Sequence, residues 1–174
     1  HPYVGREFHG VWGNYDVKIH LPEGYNVAAT GISKNTPEQS KSTGDWHFKA
    51  SNVIDFAWVA DPDLVYESVS VSKDTKMNFV YTHNDEYDEV WLQLPRFAVQ
   101  AMRFLNDFIG EYPYPQYTIA QGGDGGMEYP MITLITANRS LPSLVGVTVH
   151  EMAHSWFQAV VATNEALYEW MDEG

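Results

Sequence analysis

Apolar and polar residues alternate along much of the first 60 residues of the chain, and a period of two predicts β-strands. Residues 16–21 alternate strictly and end in a Pro-Glu-Gly turn, and residues 46–50 repeat the pattern. The more continuous apolar run of residues 53–60 is consistent with a buried strand. Between these segments, residues 31–44 are rich in Ser, Thr, Lys and Asn, which indicates an exposed hairpin or loop.

Asp61-Pro62-Asp63 is the predicted domain boundary, because these residues carry no core-forming side chain and Pro restricts the residue before it. Alternation resumes in residues 65–72, and residues 77–82 read as a second strand. The short polar segment 73–76 between them predicts a β-hairpin.

Residues 91–109 carry apolar side chains at spacings of three and four, which predicts an amphipathic helix. The acidic residues 84–89 are interpreted as its solvated entry, where negative charge meets the positive end of the helix dipole. Pro95 is assigned to the first turn, and Gly110 is expected to end the helix. The Met and aromatic residues of the stripe are assigned to the core and not to a cofactor surface.

A glycine-rich segment, residues 122–126, lies between two further predicted strands at 117–121 and 131–136. No Lys follows it, so a nucleotide-binding loop is not supported. Glycine lets a backbone pass close to a ligand, so the segment is a plausible wall of a substrate cleft. A plain flexible turn is the alternative.

Composition and charge narrow the class of protein. The chain has 174 residues, of which 44% are hydrophobic, ample for a packed core in one domain or two small ones. Its net charge of −13 argues against a nucleic-acid or anionic-membrane surface and indicates a solvated acidic surface. No stretch of eighteen apolar residues is present, so we predict no membrane insertion in this segment. Cys is absent, so any metal ligands must be His and carboxylates.

The most informative stretch is His-Glu-x-x-His at residues 150–154. On a helix, His150 and His154 project from one face about one turn apart, which suits a single metal ion. A hydrolytic zinc site usually has three protein ligands and an open position for water, and Glu173, nineteen residues after His154, is the candidate third ligand. Glu151 lies beside the first ligand, where a carboxylate can take a proton from water bound to the metal.

The residues around this motif favour a metal site over chance. Both flanks are apolar, so the helix is expected to be buried, and two His and a Glu in a buried helix are costly without a partner. A metal ion removes that cost. The alternative is that these side chains are satisfied by ordinary hydrogen bonds.

The same residues resemble those of the gluzincin metallopeptidases of the aminopeptidase N family. The motif is followed by Trp156-Phe157 and, with eighteen residues between it and His154, by Glu173-Gly174. Upstream, residues 125–130, Gly-Gly-Met-Glu-Tyr-Pro, resemble the Gly-x-Met-Glu-Asn exopeptidase motif of that family. A weaker resemblance extends through residues 55–58 and 112–115, and the form of the zinc segment is most similar to bacterial, extracytoplasmic members.

The resemblance implies an α+β fold in two parts. Residues 1–60 would form the C-terminal part of a β-rich N-terminal domain. Residues 61–174 would form the N-terminal part of a thermolysin-like peptidase catalytic domain, with strands followed by helices.

The family resemblance also implies a zinc-dependent aminopeptidase that uses one zinc ion and acts on peptides with a free N-terminus. Glu151 would activate the zinc-bound water. Glu128 would bind the α-amino group of the substrate, so that only the first residue fits between this anchor and the metal. Tyr129 departs from the family motif, where Asn is usual, so the role of that amide must be filled differently or not at all. The implied metal ligands are His150, His154 and Glu173, and the implied substrate-binding residues are Gly125, Gly126, Met127 and Glu128.

Other functions stay open at this stage. A related zinc hydrolase could act on an epoxide or on glycyl peptides, and a binding module with a vestigial site is a further alternative. The chain begins at His1 without an initiator Met and ends directly after Glu173, so we expect a fragment of a longer protein that is inactive by itself. The family's oxyanion-stabilising Tyr would lie downstream. Location is unknown from the residues, and the resemblance favours an extracytoplasmic one.

Overall fold

The structure, a computed structural model, describes residues 10–123, 125–168 and 170–174. Strands and helices are both abundant, which confirms the predicted α+β class. The first nine residues of the predicted N-terminal domain, and Asp124 of the glycine-rich segment, lie outside the described residues. Among the described residues, no helix combines the length and hydrophobicity that a bilayer crossing needs.

The N-terminal part contains two small antiparallel sheets. One has the order β1 (Gly13–His20), β4 (Asp45–Val53) and β3 (Ile32–Ser33), and the other pairs β2 (Asn26–Ala29) with β5 (Trp58–Asp61). The alternation that predicts β4 also sets its faces, because Trp46, Phe48 and Ala50 are buried while the residues between them are more exposed. On the solvent face, Asp16 bonds to Lys49 and His47 across the strands.

The prediction of an exposed loop over residues 31–44 is wrong, because the segment contains β3 and the helix α1 (Pro37–Thr43). Thr36 and Gln39 form a reciprocal capping box at its start, and Gly44 ends it in a left-handed conformation with φ 74°. The interpretation of the run 53–60 as one buried strand is wrong, because Val53 ends β4 and the next strand starts at Trp58. Only its last part is in β5, where Trp58 is half exposed, because the intervening residues turn the chain between sheets.

The second part is built on a five-stranded mixed sheet. In spatial order its strands are β6 (Leu64–Ser70), β7 (Lys76–Thr82), β8 (Gln116–Gln121), β10 (Ile132–Ile135) and β9 (Gly126–Tyr129). The central three run parallel, and the two edge strands pair antiparallel with their neighbours. The predicted hairpin corresponds to β6 and β7, and the predicted strands before and after the glycine-rich segment correspond to β8 and β10.

The helix α2 (Asp88–Phe108) connects the parallel strands β7 and β8. Its buried stripe includes Trp91, Leu94 and Met102, which are fully buried, so the assignment of this stripe to the core is confirmed. The assignment of Pro95 to the first turn is wrong, since the helix begins at Asp88 and Pro95 lies in its interior. The helix begins about one turn before the first residue of its apolar pattern, Trp91, because acidic residues form its first turn.

The helix α3 (Leu141–His154) packs on α2, β9 and β10, and continues directly into a π-helix (Ser155–Val160). The expectation that α3 is buried holds for one face only, which carries Leu144, Thr148 and Met152, because no described element covers the opposite face. After Ala162, whose φ is 50°, the chain reverses into two short helices, α4 (Glu165–Tyr168) and α5 (Trp170–Glu173).

A shared core cluster joins the two parts. Ala28 of β2 packs with Leu64, Val80, Ala120 and Ile132 of the large sheet. The division of the chain into domains at residues 60 and 61 stays a prediction.

Candidate metal centre and adjoining cleft

The two histidines of the motif lie four residues apart near the end of α3 and face one another. Their Nε2 atoms are 3.2 Å apart, and their rings meet edge to face with centroids 4.7 Å apart. His154 is buried, whereas the side chain of His150 is 52% exposed. The site is therefore anchored in the core on one side and open to solvent on the other.

The reversal after the π-helix brings Glu173 of α5 to the two imidazoles. Its Oε2 atom lies 3.2 Å from Nε2 of His150, and its Oε1 atom lies 3.8 Å from Nε2 of His154. The three side chains that the sequence analysis named as metal ligands are thus brought together, although they come from two separate helices.

This donor set fits a zinc ion. A tetrahedral zinc ion with ligand bonds of about 2.0–2.1 Å has ligand atoms about 3.3 Å apart. The 3.2 to 3.8 Å separations between Nε2 of each histidine and the Glu173 carboxylate are close to that spacing. Two imidazole nitrogens and a carboxylate are also ligand types that zinc takes in proteins.

Behind the metal-facing nitrogen, His154 contacts a second carboxylate. Its Nδ1 atom donates a hydrogen bond to Oδ1 of Asp172, and the Asp172 side chain is fully buried. Burial of the ring favours its neutral form and is the largest single influence on its pKa. The hydrogen bond to Asp172 and the negative charges of the surrounding carboxylates together outweigh burial and raise the pKa of His154 to about 9. Sequence reasoning missed Asp172, although its position directly before Glu173 offered a signal.

Two further carboxyl groups, Glu151 and Glu128, lie beside His154. Both are buried, and their oxygens and a ring nitrogen of His154 lie within 4.8 Å of one another. Burial raises the pKa of Glu128 to about 7. The residue named as the general base and the residue named as the amine anchor therefore adjoin the candidate metal ligands.

The glycine-rich segment differs from its prediction, because Gly126, Met127 and Glu128 lie in the edge strand β9 and not in a loop. These residues form a strand because they pair with β10, where Glu128 lies opposite Thr133. Gly125 remains in the turn before the strand, with φ 92°, and its N–H donates to Oγ1 of Thr136 at 2.9 Å.

Gly126 allows a close approach of β9 to α3. A Cβ atom at this position would overlap the carboxylate of Glu151 and would lie 2.8 Å from Cγ2 of Val147. The absence of a side chain therefore lets the strand that carries Glu128 pass directly against the helix that carries Glu151.

A cleft of about 240 Å³ runs along β9. Glu128 lines it, together with Met127 and Tyr129 of the same strand, and Asp55 and Gln158 lie on its other walls. The strand is the last in its sheet, so it has one edge that no other strand of the sheet pairs with. Sequence reasoning had no signal for Gln158, whose place depends on the π-helix.

No family model matches the chain. Leucine aminopeptidase 2 of Candida glabrata is 28% identical to it over 161 residues, which cover 85% of this chain and 23% of that protein. The chain thus spans about a quarter of the length of that curated relative.

Solved structures with the same fold include two kinds of enzyme. An M1 zinc metallopeptidase from Deinococcus radiodurans superimposes with a TM-score of 0.70 at 18% identity, over 95% of this chain and 39% of that one. Native yeast LTA4 hydrolase superimposes with a TM-score of 0.62 at 19% identity, over 87% and 24% of the respective chains. Together with the sequence match, these structures confirm the family resemblance that the motifs indicate.

Proposed function

We propose, from the premise that this chain resembles the gluzincin metallopeptidases of the aminopeptidase N family in sequence and fold, that it carries the zinc site of an aminopeptidase. The whole protein would hydrolyse the first peptide bond of peptides with a free N-terminus. An extracytoplasmic location is part of the same proposal and rests on the resemblance alone.

The observation that carries the proposal is the convergence of His150, His154 and Glu173 at the spacing of a tetrahedral zinc ion. These three residues would hold one zinc ion. When bound, the ion supplies Lewis-acid chemistry, which lowers the pKa of a bound water and polarises a carbonyl group.

Glu151 is proposed as the general base. Its carboxyl group is buried beside His154, at the inner side of the candidate site. From there Glu151 would accept a proton from the attacking water and pass it to the leaving amine.

Glu128 is proposed as the anchor for the substrate's α-amino group. A carboxylate at this place pairs with an ammonium group and admits one residue between the anchor and the metal. Burial raises the pKa of Glu128 to about 7, and a substrate ammonium group beside it would favour the ionised form.

The position of β9 supports a peptide as the substrate. Residues of β9 line the cleft, and an edge strand offers unpaired N–H and C=O groups with which an extended peptide can pair. Main-chain pairing would hold the substrate beside Glu128 regardless of its sequence.

The test compares free and N-acetylated substrates in the whole protein that contains this chain. We expect hydrolysis of amino-acid anilides, loss of that activity on N-acetylation, and a Glu128→Gln variant with KM raised by about tenfold or more. The matched control is Glu111→Gln, an exposed residue outside the site. Equal hydrolysis of free and acetylated substrates would reject the aminopeptidase assignment, and epoxide hydrolysis without anilide hydrolysis would reject peptides as the substrate.

A further inference from the structure

We propose that Asp172 is a positioning residue that fixes the orientation and the tautomer of His154 and so prepares that ring to bind zinc. This inference rests on the proposed function, since it concerns the same metal site. It adds a residue to which the His-Glu-x-x-His motif assigns no role.

The contact between the two side chains is buried and direct. The side chain of Asp172 is fully buried, that of His154 is 3% exposed, and the two are joined through Nδ1 and Oδ1. A carboxylate can only accept, so Nδ1 must carry the proton. In a neutral imidazole the lone pair then lies on Nε2, the nitrogen that faces His150 and Glu173.

The two histidines differ in this respect. In the described part of the chain, His150 has no carboxylate or carbonyl bonded to its Nδ1 atom, and half of its side chain is exposed. His154 is therefore the ligand that the protein holds in place before a metal arrives. A metal-binding histidine commonly donates its second N–H to a carboxylate in this way.

The helix α5 supplies both carboxylates from adjacent residues. Consecutive residues on a helix point about 100° apart, so Asp172 reaches the back of the His154 ring while Glu173 reaches its front. One short helix thus delivers a ligand and the group that orients another ligand. Correct docking of α5 would complete both contacts together.

The surroundings of Asp172 argue against a general structural role. Its second oxygen, Oδ2, is buried and has no hydrogen-bond partner among the described residues. An ionised carboxylate in such a place is costly unless its one partner compensates for it. The histidine ring, with or without a bound cation, is that partner.

The test uses the whole protein and two variants, Asp172→Asn and Asp172→Ala. Zinc affinity is measured by competition with a chelator, and ¹⁵N spectra of His154 report which ring nitrogen carries the proton. Asp172→Ala is expected to weaken zinc binding by about 10- to 100-fold and to release the fixed Nδ1–H tautomer. Asp172→Asn keeps an oxygen that can accept the bond and is expected to restore part of the affinity.

Asp107→Asn, an exposed carboxylate on α2, is the matched control and should leave the affinity unchanged. If Asp172→Ala does not fold, the Asn variant and its ¹⁵N spectrum carry the test. Parent-like zinc affinity and an unchanged tautomer in folded Asp172 variants would overturn this inference while leaving the proposed function intact. Absence of zinc from the parent protein itself would instead reject the proposed function, and Asp172 with it.

Discussion

At the scale of single residues, the site depends on how closely backbone and side chains approach. Gly126 is the clearest example, because β9 passes so near to α3 that any Cβ there would meet Glu151 and Val147. The family motif, Gly-x-Met-Glu-Asn, leaves this position unspecified. The physical reason for a glycine, a strand packed against the helix that carries Glu151, requires the tertiary structure.

Gly126→Ala is expected to destabilise the protein by about 1–3 kcal/mol, because the added methyl group must push β9 away from α3. The measurement is denaturant unfolding of the whole protein. Gly146→Ala is the control, and its expected effect on stability has the opposite sign. Gly146 lies on the exposed side of α3 with open space around it, so Ala should stabilise the helix by up to about 1 kcal/mol. Equal stability of the two variants would contradict this account of the contact.

Asp16 gives a prediction for the dependence of stability on pH. Hydrogen bonds from Lys49, and then from His47, lower the pKa of Asp16 from 3.8 to about 2. A carboxyl group whose pKa is lower in the folded state contributes stability above its unfolded pKa, and that contribution is lost as pH falls from about 4 to about 2. Asp16→Asn should therefore flatten the stability profile between pH 4 and 2. Parallel unfolding profiles for parent and variant across the acid range would show that the cross-strand bonds have no such effect.

At the scale of elements, periodicity predicts most strands and the long helix but not their ends. The strands β1, β4 and β6 follow from alternation, since each has one more buried face. The strands β7, β8 and β10 are buried on both faces and are predicted from short apolar-rich runs instead. The helix α1 was not predicted, because its residues are polar and so show no periodic apolar pattern. Its only signals are local ones, Thr36 and Gln39 as a capping box and Pro37 in the first turn.

That capping box predicts a measurable effect. Thr36 accepts a bond from the N–H of Gln39, and the side chain of Gln39 accepts one from the N–H of Thr36. Thr36→Ala removes the first bond and is expected to cost about 1 kcal/mol of stability in denaturant unfolding, whereas Thr36→Ser should keep most of it. A Ser variant as unstable as the Ala variant would indicate that the methyl group, and not the cap, matters.

At the scale of the whole molecule, the candidate site joins elements that are distant in sequence. Spacing alone suggested His150, His154 and Glu173, because a helical pair and a returning segment are encoded within one stretch. The positions of Asp172 and Gln158 could not be predicted in the same way. They depend on the π-helix and on the docking of α5, and neither has a periodic signal.

The edge position of β9 is another property of the whole molecule. Residues 126–129 carry glycine and mixed polarity, so their pattern favours a loop, and only pairing with β10 makes them a strand. That pairing places Glu128 beside α3 and leaves β9 at the edge of the sheet, where its residues line the cleft. The proposed peptide specificity therefore depends on sheet order and not on any single motif.

The most direct test of the central claim is the zinc content of the whole protein together with the activity of its Glu151→Gln variant. We predict about one zinc ion per chain in both proteins, with hydrolysis of an amino-acid anilide reduced about a hundredfold or more in the variant, because the ligands remain and only the base is lost. Zinc far below one per chain in the parent, or undiminished hydrolysis by Glu151→Gln, would contradict the account.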